Sequence, residues 1–121
     1  MTTQVSSSLL SDDARKFSIN LRGPASNGTY PVYLNSPFDF DIIAADFQTD
    51  TGTINAKFTI EAVDVEFDGG DETLALSSTA DSEMADSAYS VSEGDTVLMI
   101  LSGAASSPTL AAIDLHCRRT D

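Results

Sequence analysis

Residues 53–61 read Thr-Ile-Asn-Ala-Lys-Phe-Thr-Ile-Glu, and their alternation decides the fold class. Ile54, Ala56, Phe58 and Ile60 fall on one side, with Thr53, Asn55, Lys57, Thr59 and Glu61 on the other. A two-residue period is that of a β-strand, so the segment predicts one buried face and one wet face. The phase then slips by one residue at Glu61-Ala62, after which Val63, Val65 and Phe67 point inward and Asp64, Glu66 and Asp68 outward, as far as Gly69-Gly70. The slip reads as a β-bulge, which inserts one residue and resets the buried face.

The same period recurs on either side. Phe17, Ile19 and Leu21 alternate with Ser18 and Asn20, and Gly23-Pro24-Ala25-Ser26-Asn27-Gly28 breaks the run. Residues 29–34 form a second strand, which Pro31 assigns to an edge or a strand start because it lacks the amide an inner ladder needs. Residues 38–48 lead to a turn at Thr49-Asp50-Thr51-Gly52, and residues 96–102 are apolar enough for the middle of a sheet. In the last strand Ala111, Ile113, Leu115 and Cys117 share one face, while Ala112, Asp114, His116 and Arg118 share the other. Residues 74–90 are rich in Ser, Ala and Asp and are the least legible, with a short helix over 82–88 as the weaker alternative.

With roughly seven or eight strands and no long segment of helical period to cover a sheet, the faces must be buried against a second sheet. The expected fold is an all-β, two-sheet antiparallel β-sandwich, of which a jelly-roll-like arrangement is one form. At 121 residues the chain fits one domain: an N-terminal arm with a first strand over residues 1–21, and the sandwich over 22–121.

Nineteen Asp and Glu against six Lys and Arg give a net charge of -13, which repels phosphate backbones and excludes nucleic acid as an expected partner. Between residues 38 and 95 Lys57 is the only basic side chain, which is first of all the pattern of a solvated, soluble surface; the alternative is that the near-neutral ends meet another protein at less charge desolvation than the middle. A single cysteine, Cys117, excludes an internal disulfide framework. No apolar run is long enough to cross a bilayer as a helix, membrane insertion is not expected, and no secretion signal is recognisable at the start of the chain.

The residues offer little chemistry. His116 is the sole histidine, so a hydrolytic triad would need it; Asp114 lies two residues away on the same face, but no nucleophile elbow is present. The expected reading is a solvent-facing histidine near Arg118, and no enzyme and no cofactor. For calcium, Asp68-Gly69-Gly70-Asp71-Glu72 gathers three carboxylates at a turn without the spacing of an EF-hand loop, and Asp46 with Asp50 fails the same test at Thr51. For glycans, Tyr30, Tyr33 and Tyr89 are the candidate stacking residues. Tyr30 and Tyr33 fall on opposite faces of a regular strand, so both serve one site only if the chain bends at Pro31.

From Tyr30 onward the chain resembles the small β-sandwich modules of structural proteins from tailed bacteriophages and phage-like gene transfer agents. The likeness rests on Ser36-Pro37-Phe38 with Ile42 or Ile43, on Thr49-Asp50-Thr51-Gly52-Thr53, on Tyr89-Ser90-Val91-Ser92-Glu93-Gly94-Asp95-Thr96-Val97-Leu98 and on Leu115-His116-Cys117-Arg118-Arg119. It covers about three quarters of the chain. The resemblance implies a non-enzymatic particle subunit made in the host cytoplasm and placed on the particle surface, as a spike, fibre-base or decoration component. It further implies a homo-oligomer, trimer or pentamer, touching other particle proteins and in some cases a host-cell glycan. Small size, edge strands that need cover and the charge layout also favour association, with residues 1–21 expected to contribute to attachment. A carbohydrate-binding module and an intracellular protein-interaction module are the alternatives.

Overall fold

A computed structural model of the chain describes residues 15–120. The arm expected over residues 1–11, and the helical turn expected at residues 11–15 except for Arg15, lie outside the described residues. The strands are β1 (Lys16–Pro24), β2 (Gly28–Tyr33), β3 (Phe40–Thr49), β4 (Thr53–Ile60), β5 (Val63–Asp64), β6 (Leu74–Leu76), β7 (Asp81–Val91), β8 (Val97–Ala105) and β9 (Leu110–Arg119). The expected first strand is β1, and it runs past residue 21 to Pro24.

One sheet has the order β1-β9-β3-β7, and the other has β2-β8-β4-β5 with β6 also paired to β4. Every ladder is antiparallel. β1 pairs with β9, β2 with β8, β3 with β7 and β4 with β6, so the chain is one long two-ply hairpin with β5 near its tip. Successive pairs go to alternate sheets, and the β3–β9 and β4–β8 ladders close each sheet around the wrap. That winding is the jelly roll, a double-sheet sandwich in which most neighbours in space are far apart in sequence.

The core lies between the sheets. Ile54, Ala56, Phe58 and Ile60 are buried on β4, and Ile113, Leu115 and Cys117 on β9, as their alternation requires. Phe40 anchors one end of the core, with Phe17, Tyr33 and Phe38 packed edge-on to its ring at centroid distances of 5.4, 6.0 and 5.6 Å. β3 buries Ile42, then shifts register before Ala44 so that Ala45 and Phe47 face inward. The extra residue resolves the imperfect alternation of residues 40–47.

Two local expectations are corrected and one alternative is decided. The slip at Glu61-Ala62 is not a bulge: both residues have positive φ, 48° and 66°, and they form the two-residue loop of a tight hairpin in which Ile60 pairs with Val63. Positive φ at both central positions matches the right-handed twist of the strands it joins. Val63 is accordingly 64% exposed and not inward, whereas Val65 and Phe67 are fully buried. Thr59 is buried although its alternation puts it on the wet side, because it sits between its cross-strand neighbours Leu98 and Asp64. Residues 82–88 belong to β7 and not to a helix, held extended by their ladder to β3.

The turn after β3 needs its glycine. Gly52 has φ of 64°, and a Cβ there would stand 2.4 Å from the carbonyl oxygen of Ala105. Beside it the Asp50 carboxylate accepts from the amides of Thr51, Thr109 and Leu110 at 2.8, 3.1 and 3.0 Å, and from the Thr109 hydroxyl. This carboxylate therefore fastens the β3–β4 turn to the β8–β9 loop. The hydroxyl of Thr109 first, and then the amides, hold its pKa well below the usual carboxylate range.

Candidate functional site

The two long sides of the sandwich are built differently. On one side residues 65–68 cross from sheet to sheet: the Val65 amide donates to the Phe58 carbonyl of β4 at 2.9 Å, and the Asp68 amide donates to the Met84 carbonyl of β7 at 3.0 Å. The Asp86 amide returns a bond to the Glu66 carbonyl at 3.0 Å, and Phe67 bridges Ala85. The crossing covers part of the outer edge of β7 and drives Phe67 into the core.

The opposite side is open. β1 and β2 are the terminal strands of their sheets, and among the described residues nothing pairs with their outer edges. Between them lies a cleft of about 220 Å³, walled by Leu21, Gly23 and Pro24 of β1 and Tyr30 and Pro31 of β2, with Met99, Leu101, Ala111 and Ile113 behind. The Tyr30 hydroxyl donates to the Ser26 carbonyl at 2.8 Å, which ties the β1–β2 turn to the cleft wall. Arg22 stands at its mouth. Its Nη1 lies 2.8 Å from Asp114 Oδ1, an ion-pair contact without hydrogen-bond geometry, while the same nitrogen donates to the carbonyls of Leu21 and Ile113 at 3.1 and 3.4 Å.

The tyrosines do not converge. The register shifts between Pro31 and Tyr33, which breaks the regular alternation there, and both Tyr30 and Tyr33 pack against the core. Tyr89 lies on β7, in the other sheet and on the other long side, also half-buried.

The outer face of the β1-β9-β3-β7 sheet carries a hydrogen-bonded row that crosses all four strands. Ser18 Oγ lies 3.1 Å from His116 Nδ1, His116 Nε2 lies 2.8 Å from Asp46 Oδ2, and Asp46 bonds Ser82. The histidine thus meets Ser18 and Asp46 on the outer face, with its side chain partly exposed. The His116 hydrogen bond, followed by that of Ser82, lowers the Asp46 pKa. Although serine, histidine and aspartate fall in line, the backbones of β9 and β3 are engaged in ladders on both sides, so they present no paired amides to an oxyanion. The row acts as a cross-sheet tie.

Around residues 61–86 the chemistry is that of crowded carboxylates. Burial first, and then the charges of Asp68, Asp71 and Asp81, raise the pKa of Glu83. Among the described residues no three His, Cys, Asp or Glu side chains are grouped to hold a metal ion, and this includes the Asp68–Glu72 turn. Cys117 is buried on β9, and burial pushes its thiol up to about 12, which leaves little thiolate at neutral pH.

No family model matches the chain, and no curated protein matches it in sequence. Solved structures do match in fold. A chain of the acid-stable capsid of Helicobacter pylori bacteriophage KHP30 superposes with a TM-score of 0.54 at 8% identity, over 86% of this chain and 87% of that one. A disulfide-linked pilus protein of Bacillus endospore appendages gives 0.41 at 14% identity, covering 88% of each chain. The N-terminal cellulose-binding domain of Cellulomonas fimi β-1,4-glucanase C gives 0.40 at 11%, covering 88% of this chain and 80% of that one. At these identities the capsid likeness is one of fold, and it agrees with the two-sheet winding traced above.

Proposed function

We propose that the chain is a non-enzymatic structural subunit of a phage-like particle, on whose surface it serves as a spike, fibre-base or decoration component. The observation that carries this reading is the asymmetry of the sandwich. A stable jelly roll that covers one long side and leaves two strand edges and an apolar cleft along the other is suited to assembly, since bare edges invite pairing unless something covers them. A closed ring of three or five copies, placed against other particle proteins, would supply that cover. The capsid likeness supports the fold on which the reading depends.

Mass spectrometry of purified particles, with labelled antibody locating the chain on intact ones, tests the proposal. Detection at a fixed stoichiometry on the surface is the expected result. A chain absent from particles that binds soluble glycan with millimolar or tighter affinity would replace it with the carbohydrate-binding reading.

A further inference from the structure

We propose that residues 3–10 of this chain dock along the outer edge of β1 in the same copy and lay Val5 and Leu9 over the open side of the sandwich. This goes beyond the particle reading and does not depend on it. Residues 1–14 lie outside the described residues, and what points to them is the surface they adjoin.

Phe17, Ile19 and Leu21 of β1 pair across the ladder with Cys117, Leu115 and Ile113 of β9, so the two sets share one face of the sheet. On β9 that face is fully buried, whereas on β1 it is only half-buried. The step marks where cover from the other sheet runs out. The apolar cleft begins there too, and among the described residues nothing pairs with the outer edge of β1. Half-buried apolar side chains beside such an edge fit an occupant that is extended, offers ladder hydrogen bonds and brings an apolar side chain at alternate positions. Arg22, the charged side chain at the cleft, already faces Asp114, so a neutral occupant suits the place better than an ionic one.

The segment that precedes β1 has these properties. Residues 1–11 contain no charged side chain, no glycine and no proline, and Val5, Ser7 and Leu9 recur at the strand period. Residues 11–15, with Ser11, Asp12 and Asp13, have the length and composition of a connection between antiparallel neighbours. Running back beside β1, residues 3–10 match residues 16–23 one for one in reverse order. Leu9 then stands opposite Phe17, Ser7 opposite Ile19 and Val5 opposite Leu21 on the inward face, and Ser6 stands opposite Asn20 on the outer one. A shift of one residue would turn Gln4, Ser6 and Ser8 inward and waste both apolar side chains, so the pattern selects the register. A segment tethered this close reaches the edge at an effective concentration on the order of millimolar, which a second copy at about micromolar concentration does not match.

Cysteines at facing positions test the register, since directly opposed residues of neighbouring strands lie within disulfide reach. In the full chain at about micromolar concentration, S6C/N20C should close an intramolecular disulfide roughly tenfold faster than S7C/N20C, whose two side chains point to opposite faces. Cys117 is buried and stays out of the exchange. Hydrogen exchange supplies a second readout that involves no new cysteine. V5D/L9D should lower protection along β1 and leave β4 unchanged, with circular dichroism showing the sandwich intact.

Equal closure rates in the two cysteine variants would overturn the proposal, as would wild-type protection of β1 in V5D/L9D. Disulfide-linked dimers in place of the closed monomer would assign the segment to a neighbour's edge and overturn docking within one copy. These readouts use the isolated chain, so its presence or absence on particles tests the particle reading separately.

Discussion

The side of the sandwich crossed by residues 65–68 and the side lined by β1 and β2 solve the same problem in opposite ways. Both must deal with the edges of two sheets. The first uses backbone hydrogen bonds from one short segment to both sheets and a fully buried phenylalanine, Phe67, and it accumulates negative charge outside. The second leaves its edges bare among the described residues and its cleft apolar, with the Arg22–Asp114 ion pair at the mouth. The difference teaches that whether a sheet edge is covered is a local choice in this fold, made on the first side by the loop that follows β5.

The comparison breaks most readily at Phe67. Removing its ring leaves a cavity where the two sheets are joined, and Phe67→Ala should cost about 3–5 kcal/mol. Leu21→Ala in the half-buried wall of the cleft removes contacts that are only partly shielded from water, and should cost about 1 kcal/mol. Urea unfolding of the two variants measures both. Equal losses would mean that the open side is as integral to the core as the closed one.

Acid sharpens the comparison. Glu83 has a raised pKa in the folded protein, so the native state binds its proton more readily than the unfolded chain does. The penalty it carries is present above that raised pKa and disappears as the pH falls through it towards the ordinary value, so the acidic side gains stability over that window. Asp50 has the opposite sign. Its pKa is lowered, so its contribution is complete above the ordinary carboxylate value and is lost as the pH falls through the depressed one. Hydrogen exchange, corrected for the intrinsic pH dependence of exchange, should show protection rising at residues 66–68 and 86 just above the ordinary carboxylate range. Protection should fall at Thr51, Thr109 and Leu110 only at lower pH. A simultaneous loss at both places would show that crowding around Glu83 does not govern the acidic side.

Legibility of these features in the sequence followed the range of the interactions behind them. The strict alternation of residues 53–60 and 111–117 exposed both walls of the core, because a buried face imposes its period on the strand itself. Pro31 correctly marked an edge, and the acidic middle of the chain became the acidic side. The hairpin at Glu61-Ala62 was hidden because neither residue is the Gly or Asn that usually signals positive φ. β7 was hidden because its Ser, Ala and Asp residues have little strand preference of their own, and the ladder to β3 decides their conformation. The row from Ser18 through His116 to Asp46 carries no local signal, since it depends on the registers of β1 and β3 against β9.

That row supplies the smallest expected effect and a control on the comparison, because it lies on a sheet face and belongs to neither long side. His116→Ala breaks two side-chain hydrogen bonds, one to Ser18 and one to Asp46, whose side chains remain exposed enough to rebind water. Exposed pairs of this kind contribute roughly 0–1 kcal/mol, since water competes for both partners and the ordering of the side chains opposes the gain. The variant should therefore unfold within about 1 kcal/mol of the wild type. Nuclear magnetic resonance titration of the Asp46 carboxyl adds a readout that stability alone would not give. In the variant its pKa should move up towards the ordinary value, because the first of the interactions that lower it has gone. If His116→Ala instead removed the chain from particles with the fold and the Ser18 environment intact, the surface proposed for assembly would have to be moved from the open side to the outer face of the β1-β9-β3-β7 sheet.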